Sequence, residues 1–269
     1  MSSSSHQRYG LDQPQPNALW NDVIESLVGH RSVRTYLDTP LPEGTLDTLL
    51  AAAQSAATSS NLQAWSVIAV EDPARKSRLA VLAGNQAHIV QAPLLLVWLA
   101  DLSRIERQAQ RRDVQLEAPA YLDSLLVASI DAALAAQNAV VALESLGLGG
   151  VYIGALRNDL AAVIDELQLP PLVFPVFGLC VGYADPEKPA AVKPRLPQSA
   201  ILHREVYSHS HERTLIDTYD QTIAGFYREQ GLDTPSWSEQ AIGRLRSIKT
   251  LNGRERVSAT LKNQHFGQQ

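Results

Sequence analysis

Between Pro119 and Leu146 the chain contains no further proline and no glycine, and alanines recur at Ala128, Ala132, Ala133, Ala135, Ala136 and Ala139. The run predicts one long helix whose small side chains let a neighbouring element approach closely. Such a helix belongs at the centre of a core or at the seam between two copies of the chain. Apolar periodicity alone does not separate the two.

The rest of the sequence offers enough material for either arrangement. With 269 residues, 45% of them hydrophobic, the chain can bury a large core near the upper size of one domain. We read residues 17–269 as a single domain and residues 1–16, with the Ser2–Ser5 run and the glutamines and prolines after it, as a disordered N-terminal extension. Pro186, Pro189, Pro194 and Pro197 mark an extended arm over about 185–210, followed by C-terminal helices.

Within that domain, caps and periodicity predict helices from about Asn17 to Val28, Leu46 to Ala57, Asp72 to Ala83, Asp159 to Leu167, Glu212 to Gln230 and Ser238 to Asn263. Strands are expected at Ala64–Val70, Pro93–Ala100, in the run entered at Gly147–Gly154, and at Val173–Gly182. Gly147 reads as a helix C-cap, and the glycine string after it is a weak phosphate-loop signal because a strand follows. The apolar run at 93–100 is too short to cross a bilayer and ends on Asp101, so no membrane is expected as a partner.

Charge and motifs narrow the chemistry. A formal net charge of -5 lacks the basic footprint of a nucleic-acid binder. The single cysteine, Cys180, lies in an apolar strand and supports neither a disulfide framework nor a thiolate metal site. No targeting peptide is visible, which predicts a cytoplasmic protein. Hydrolase triads, zinc-protease helices, Walker loops and dinucleotide fingerprints are absent. His203, His209 and His211 fall in a polar loop with Arg204 and Arg213, and no metal is assigned to them.

Against this mildly acidic background stand two small cationic groups, His30-Arg31-Ser32-Val33-Arg34 and Lys193-Pro194-Arg195. They supply guanidinium forks, an ammonium, an imidazole and a hydroxyl, the donors that a phosphate monoester and an electron-rich ring edge require. Acid and base candidates are few, so no residue is assigned as catalytic and a bound cofactor would supply the reaction.

The order His-Arg-Ser-Val-Arg (30–34), Thr-Ser-Ser-Asn-Leu-Gln (58–63), Gly-Asn-Gln-Ala-His (84–88), Glu-Ser-Leu-Gly-Leu-Gly-Gly-Val-Tyr-Ile-Gly (144–154), Phe-Gly-Leu-Cys-Val-Gly (177–182) and Lys-Pro-Arg-Leu-Pro (193–197) resembles the oxygen-insensitive NADPH nitroreductase and flavin reductase P branch of the nitroreductase superfamily. The resemblance implies an α+β fold: a central, mainly antiparallel sheet wrapped by helices in an intertwined homodimer with FMN at the subunit interface. His30, Arg31 and Ser32 then carry over to the FMN phosphate and ribityl chain, and Lys193 and Arg195 to the phosphate. Arg34 falls beside N1 and the C2 carbonyl of the isoalloxazine. Thr58, Ser59 and Gln86 match cofactor contacts, and Tyr152, Ile153, Gly154 and Ala155 match the segment that meets the ring near N5.

The implied activity is a ping-pong transfer of hydride from NADPH, with NADH as the alternative donor, to a small oxidised acceptor such as a nitroaromatic, a quinone or a free flavin. Two positions depart from the pattern. Gln230 stands where relatives tend to carry an arginine for the 2'-phosphate of NADPH, with Arg228 or Arg213 as substitutes, and Asn61 stands where close relatives carry a bulky aromatic. The Gln230 position motivates the rival reading of an FMN-binding carrier or sensor without nicotinamide turnover.

Overall fold

The computed structural model describes residues 4–9 and 19–267. In chain order the elements are α1 (Ser4–Tyr9), α2 (Asp22–Val28), α3 (Thr45–Gln54), β1 (Trp65–Val70), α4 (Pro73–Leu82), α5 (Ala87–Gln91), β2 (Leu94–Asp101), α6 (Ser103–Gln110) and α7 (Leu122–Ser145). They continue as β3 (Gly149–Ile153), α8 (Leu160–Glu166), β4 (Val173–Gly182), α9 (Glu212–Glu229), α10 (Trp237–Leu245) and α11 (Val257–Asn263). The chain divides into two compact units interleaved in sequence, residues 1–31 with 191–251, and residues 32–190 with 252–269.

The larger unit is built on a four-stranded antiparallel sheet in the order β1-β2-β4-β3, so the fold class is α+β as the sequence implies. Every residue of β2 is buried because it is a central strand with both faces covered. Leu94, Leu96 and Trp98 point to the α3 and α7 side, while Leu95, Val97 and Leu99 point to the side of α4 and α8, as the two-residue period of a strand requires. The pairing of β2 with β4 shifts register at Trp98/Leu99, opposite Pro175. That irregularity accommodates a residue with no N–H to give to the ladder.

α7 is the long helix of the sequence analysis, shorter by three residues at its start because a 3-10 turn occupies Ala118–Ala120. Ala128, Ala132, Ala135, Ala136 and Ala139 are fully buried, and β2 and α3 pack against them. Length and apolar composition alone would let this helix cross a bilayer, but these alanines are spent inside the core.

Local chemistry explains most element ends. Asp72 caps α4 by accepting from Arg75 N at 2.7 Å with Pro73 in the first turn, and Asn21 caps α2 by accepting from Ile24 N at 3.0 Å. α2 therefore starts at Asp22, later than the predicted Asn17, which lies outside the described residues.

Two predictions are corrected. The helix expected from Ser238 to Asn263 is broken: α10 ends at Leu245, Ile248–Leu251 and Arg254–Arg256 are short 3-10 turns, Asn252 and Gly253 between them adopt φ of 54° and 93°, and α10 and α11 fall in different units. Two consecutive left-handed residues cannot continue a right-handed helix, and a Cβ on Gly253 would lie 2.1 Å from the Asn158 carbonyl. The second correction concerns the N-terminal extension, since Ser4–Tyr9 are helical with Arg8 buried. Polar composition suggested disorder there, and tertiary hydrogen bonds override it. Residues 1–3 and 10–16 of the predicted extension lie outside the described residues.

The smaller unit contains α1, α2, α9 and α10. Its apolar centre is Tyr219, Ile223 and Tyr227 on α9, with Leu196, Phe226 and Trp237 packed around them.

Candidate functional site

The smaller unit presents the two cationic segments. α2 ends at Val28, and Gly29 closes it by donating its N–H to the Glu25 carbonyl at 2.9 Å. The chain then presents His30, half-buried, and Arg31, exposed. On the returning segment the Lys193 ammonium lies 5.1 Å above the Tyr227 ring and 3.4 Å from its hydroxyl. Pro194 is buried, and its carbonyl accepts from the Tyr219 hydroxyl at 2.9 Å. Arg195 is exposed and turns its guanidinium back to the Lys193 and Pro194 carbonyls at 3.2 and 3.4 Å. Burial raises the Tyr219 pKa, with the Arg195 charge opposing it.

Among the described residues no carboxylate forms an ion pair with Arg31, Lys193 or Arg195. Cations left to solvent on a fixed backbone retain their full charge for an anionic ligand.

The larger unit holds the continuation of the first cluster. Ser32 bridges Gly150 in parallel, Val33 N donates to the Gly150 carbonyl at 3.0 Å, and Leu37 N donates to the Tyr183 carbonyl at 3.0 Å. Ser32–Leu37 thus runs extended alongside β3 and the end of β4. Gly149 makes this possible, because a Cβ there would lie 2.5 Å from Val33 Cγ2. The glycine string is a packing device for a neighbouring segment, and the weak phosphate-loop signal is explained without a ligand.

Val33 and Tyr36 are buried, and Arg34 is exposed. Its charge reaches two neighbours. The half-buried His88 imidazole is held below its ordinary pKa, first by burial and then by Arg34. Burial and Cys180 raise the Tyr36 hydroxyl, and Arg34 opposes them. Gln86, the N-cap residue at the start of α5, is half-buried. Cys180 is fully buried, with its thiol pushed up to about 12 by burial.

At the exit of β3, Tyr152 packs edge-on against Phe177 with centroids 5.0 Å apart, and its hydroxyl donates to Gln137 Oε1 at 3.4 Å. Ile153 and Ala155 are buried, and Gly154–Arg157 form a single 3-10 turn. A Cβ on Gly154 would make only ordinary contact, at 3.5 Å, with the Arg157 guanidinium. Nothing inside the chain demands glycine at 154, which fits close approach of a flat ligand to this backbone.

Thr58 and Ser59 stand on a separate support. Buried Asp131 of α7 accepts from Thr58 Oγ1 at 2.6 Å, Ser59 N at 3.1 Å and Ala64 N at 3.1 Å. Ser60, Asn61 and Gln63 in the same loop have positive φ. Among the described residues no hydrogen bond links this loop to Arg34, Gln86 or the 152–155 segment. Sequence reasoning missed Asp131, His88 and Tyr219 as supporting residues. Asp131 was detectable, because it is the sole charged residue between Asp123 and Glu144 and a buried charge requires partners.

Within the smaller unit, cations on a hydroxyl-braced loop suit a phosphate such as that of FMN; within the larger, an exposed guanidinium and an open glycine backbone suit a polar ring edge. Metal chemistry has no comparable support: among the described residues no cluster of three or more His, Cys, Asp or Glu side chains is placed to hold an ion.

Comparisons with known proteins agree. The model of the nitroreductase family matches residues 27–183, and that of the nitroreductase family C-terminal domain matches residues 193–269. The chain is 42% identical over 227 residues to an FMN reductase (NADPH) of Bacillus subtilis strain 168, covering 82% of this chain and 90% of the relative. It is 39% identical over 219 residues to an oxygen-insensitive NADPH nitroreductase of Salmonella typhimurium LT2, covering 81% and 88%. Among solved structures, B. megaterium NfrA2 is 41% identical with a TM-score of 0.85, covering 92% of this chain and 98% of that one. The NADPH:FMN oxidoreductase of Vibrio harveyi complexed with NAD+ is 33% identical with a TM-score of 0.81, covering 93% and 100%.

The Arg34 and His88 pairing yields a pH prediction. Because His88 has a folded-state pKa below its unfolded value of about 6.5, its contribution to stability is full above that unfolded value and is lost as pH falls from there through the lower folded-state pKa. In Arg34→Ala the His88 pKa should rise but stay below the ordinary value, since burial, the larger cause, remains. Titration of the His88 ring by NMR checks this, and an unchanged or lower pKa in the variant would contradict the placement.

Proposed function

The chain belongs to the nitroreductase family, and we propose that it is an FMN-dependent NAD(P)H oxidoreductase that reduces nitroaromatics, quinones or free flavins two electrons at a time. The observation that carries this reading is the set of Arg31, Lys193 and Arg195, held on a braced backbone with no carboxylate partner among the described residues. A phosphate monoester satisfies that set, and riboflavin does not.

Bound FMN supplies the acceptance and return of hydride. The chain's own residues bind and bias it. His30, Arg31, Ser32, Lys193 and Arg195 hold the phosphate and ribityl chain. Arg34 sets a fixed positive charge at the pyrimidine edge, where negative charge gathers on reduction, and so favours the reduced state. His88 stays neutral there and does not compete with Arg34. Backbone of Tyr152, Ile153, Gly154 and Ala155 would meet the ring near N5, and Gln86 would add a polar contact. At the nicotinamide donor, Arg228 on the last turn of α9 or Arg213 on its first turn takes the 2'-phosphate role left open by Gln230.

We place the protein in the cytoplasm as a homodimer. Leu122, Leu126, Ile130 and Leu134 form an exposed stripe along one face of α7, at four-residue spacing. A second copy of the same helix is a self-complementary occupant for it. The Thr58–Gln63 loop borders the stripe through Asp131 and would serve the cofactor of the opposite protomer.

Three experiments test these readings. The FMN-loaded protein should bleach when NADPH is added without oxygen and recover its colour on addition of menadione, whereas retained colour would favour a carrier or sensor. Lys193→Ala with Arg195→Ala should chiefly lose FMN, by about tenfold or more in affinity. Arg34→Ala should keep FMN and slow its reduction, and the opposite pattern would overturn the roles. Separately, Leu126→Glu with Ile130→Glu should convert a dimer to a monomer by light scattering and lower FMN content, and an unchanged dimer would reject α7 as the interface.

A further inference from the structure

α1 precedes the residues that the family model matches, which begin at 27, yet it is tied into the smaller unit at both ends. At its start Ser4 hydrogen-bonds the Glu25 carboxylate, which also accepts from the Trp20 indole at 2.7 Å, and these bonds hold the Glu25 pKa below its ordinary value. At its end Arg8, 6% exposed, donates Nε to the Val28 carbonyl at 3.0 Å and Nη1 to the Lys193 carbonyl at 2.7 Å. Its Nη2 donates to the His30 carbonyl, and its own carbonyl accepts from Arg195 N at 2.9 Å.

One guanidinium therefore fastens two segments more than 160 residues apart by gripping the Val28, His30 and Lys193 carbonyls, while the main-chain carbonyl of the same residue holds Arg195 N. We propose that Arg8 is a positioning residue for phosphate recognition, and that the N-terminal helix carrying it is a clasp that sets the protein's preference for FMN over flavins lacking the phosphate. The proposal rests on the FMN reading above.

The physical case is preorganisation. Side chains as long as Lys193, Arg31 and Arg195 lose freedom when they converge on a phosphate, and binding is weaker by whatever ordering remains to be done. A planar fork with five donors can satisfy several carbonyls at once and so fix the peptide planes from which those side chains leave. Without it, three carbonyls lose a charged donor and the two segments lose their common anchor. The isoalloxazine contacts assigned to Arg34 and to residues 152–155 involve neither α1 nor Arg8, so the loss should fall on the phosphate alone.

The test is titration of full-length apoprotein with FMN and with riboflavin, read by flavin fluorescence, for the natural chain, Arg8→Ala, Arg8→Lys and a chain lacking residues 1–9. Arg8→Ala should weaken FMN binding by about 10- to 100-fold and riboflavin binding by less than about threefold. Arg8→Lys, with the charge but without the fork, should fall between Arg8→Ala and the natural chain. The shortened chain, which also loses the Arg8 carbonyl that holds Arg195 N, should weaken FMN binding at least as much as Arg8→Ala while sparing riboflavin, and it keeps the test decisive if that variant fails to fold. Equal weakening of both flavins, or an unaltered FMN preference in the shortened chain, would overturn the proposal. A natural chain that shows no preference for FMN over riboflavin would instead refute the FMN reading itself.

Discussion

The hydrogen bond from Val33 N to the Gly150 carbonyl fixes the segment on which the candidate site depends. It lays Ser32–Leu37 beside β3, buries Val33 and Tyr36, and leaves Arg34 exposed, where its charge reaches His88. Extended backbone turns Arg34, next to the buried Val33, to the opposite face, and Tyr36 is buried again out of the two-residue period, where the bridge partner has changed from Gly150 to Ala184. The absence of a side chain at Gly149 is the packing condition for that placement.

Charge is handled differently in the two units, and each arrangement suits its role. Around Lys193–Arg195 the cations rest on tyrosines and carbonyls, which orient them without cancelling them. Carboxylates would have neutralised the set and raised the cost of binding an anion. Around Arg34 the neighbouring histidine is kept neutral by burial and by Arg34 itself, so a single positive charge faces the proposed ring edge. Asp131 shows the opposite use of charge, being buried and spent on two main-chain N–H groups and a hydroxyl to shape the Thr58–Gln63 loop.

Much of the fold was legible in the sequence because its signals were local. The strand Val173–Gly182, the Asp72-Pro73 helix start and the small-residue helix each follow from periodicity and capping. The break after α10 was missed although Asn252-Gly253 is a turn signal, because Ile248, Leu251 and Val257 continue an apolar pattern across it. The docking of α1 was hidden for a different reason: Ser4 and Arg8 find their partners at Glu25, Val28, His30 and Lys193, and composition carries no record of tertiary hydrogen bonds. Of the site, the cationic clusters were visible as residue types, while the groups that hold them in place were visible only in three dimensions.

The central claim is that cations on a braced backbone grip the FMN phosphate as a dianion. Phosphorus NMR of the FMN-loaded protein between pH 5 and 8 tests it most directly, because a free phosphate monoester changes its charge near pH 6. The account predicts a bound resonance at the dianion position that does not move across this range. A bound resonance that titrates near pH 6, as in free FMN, would contradict it.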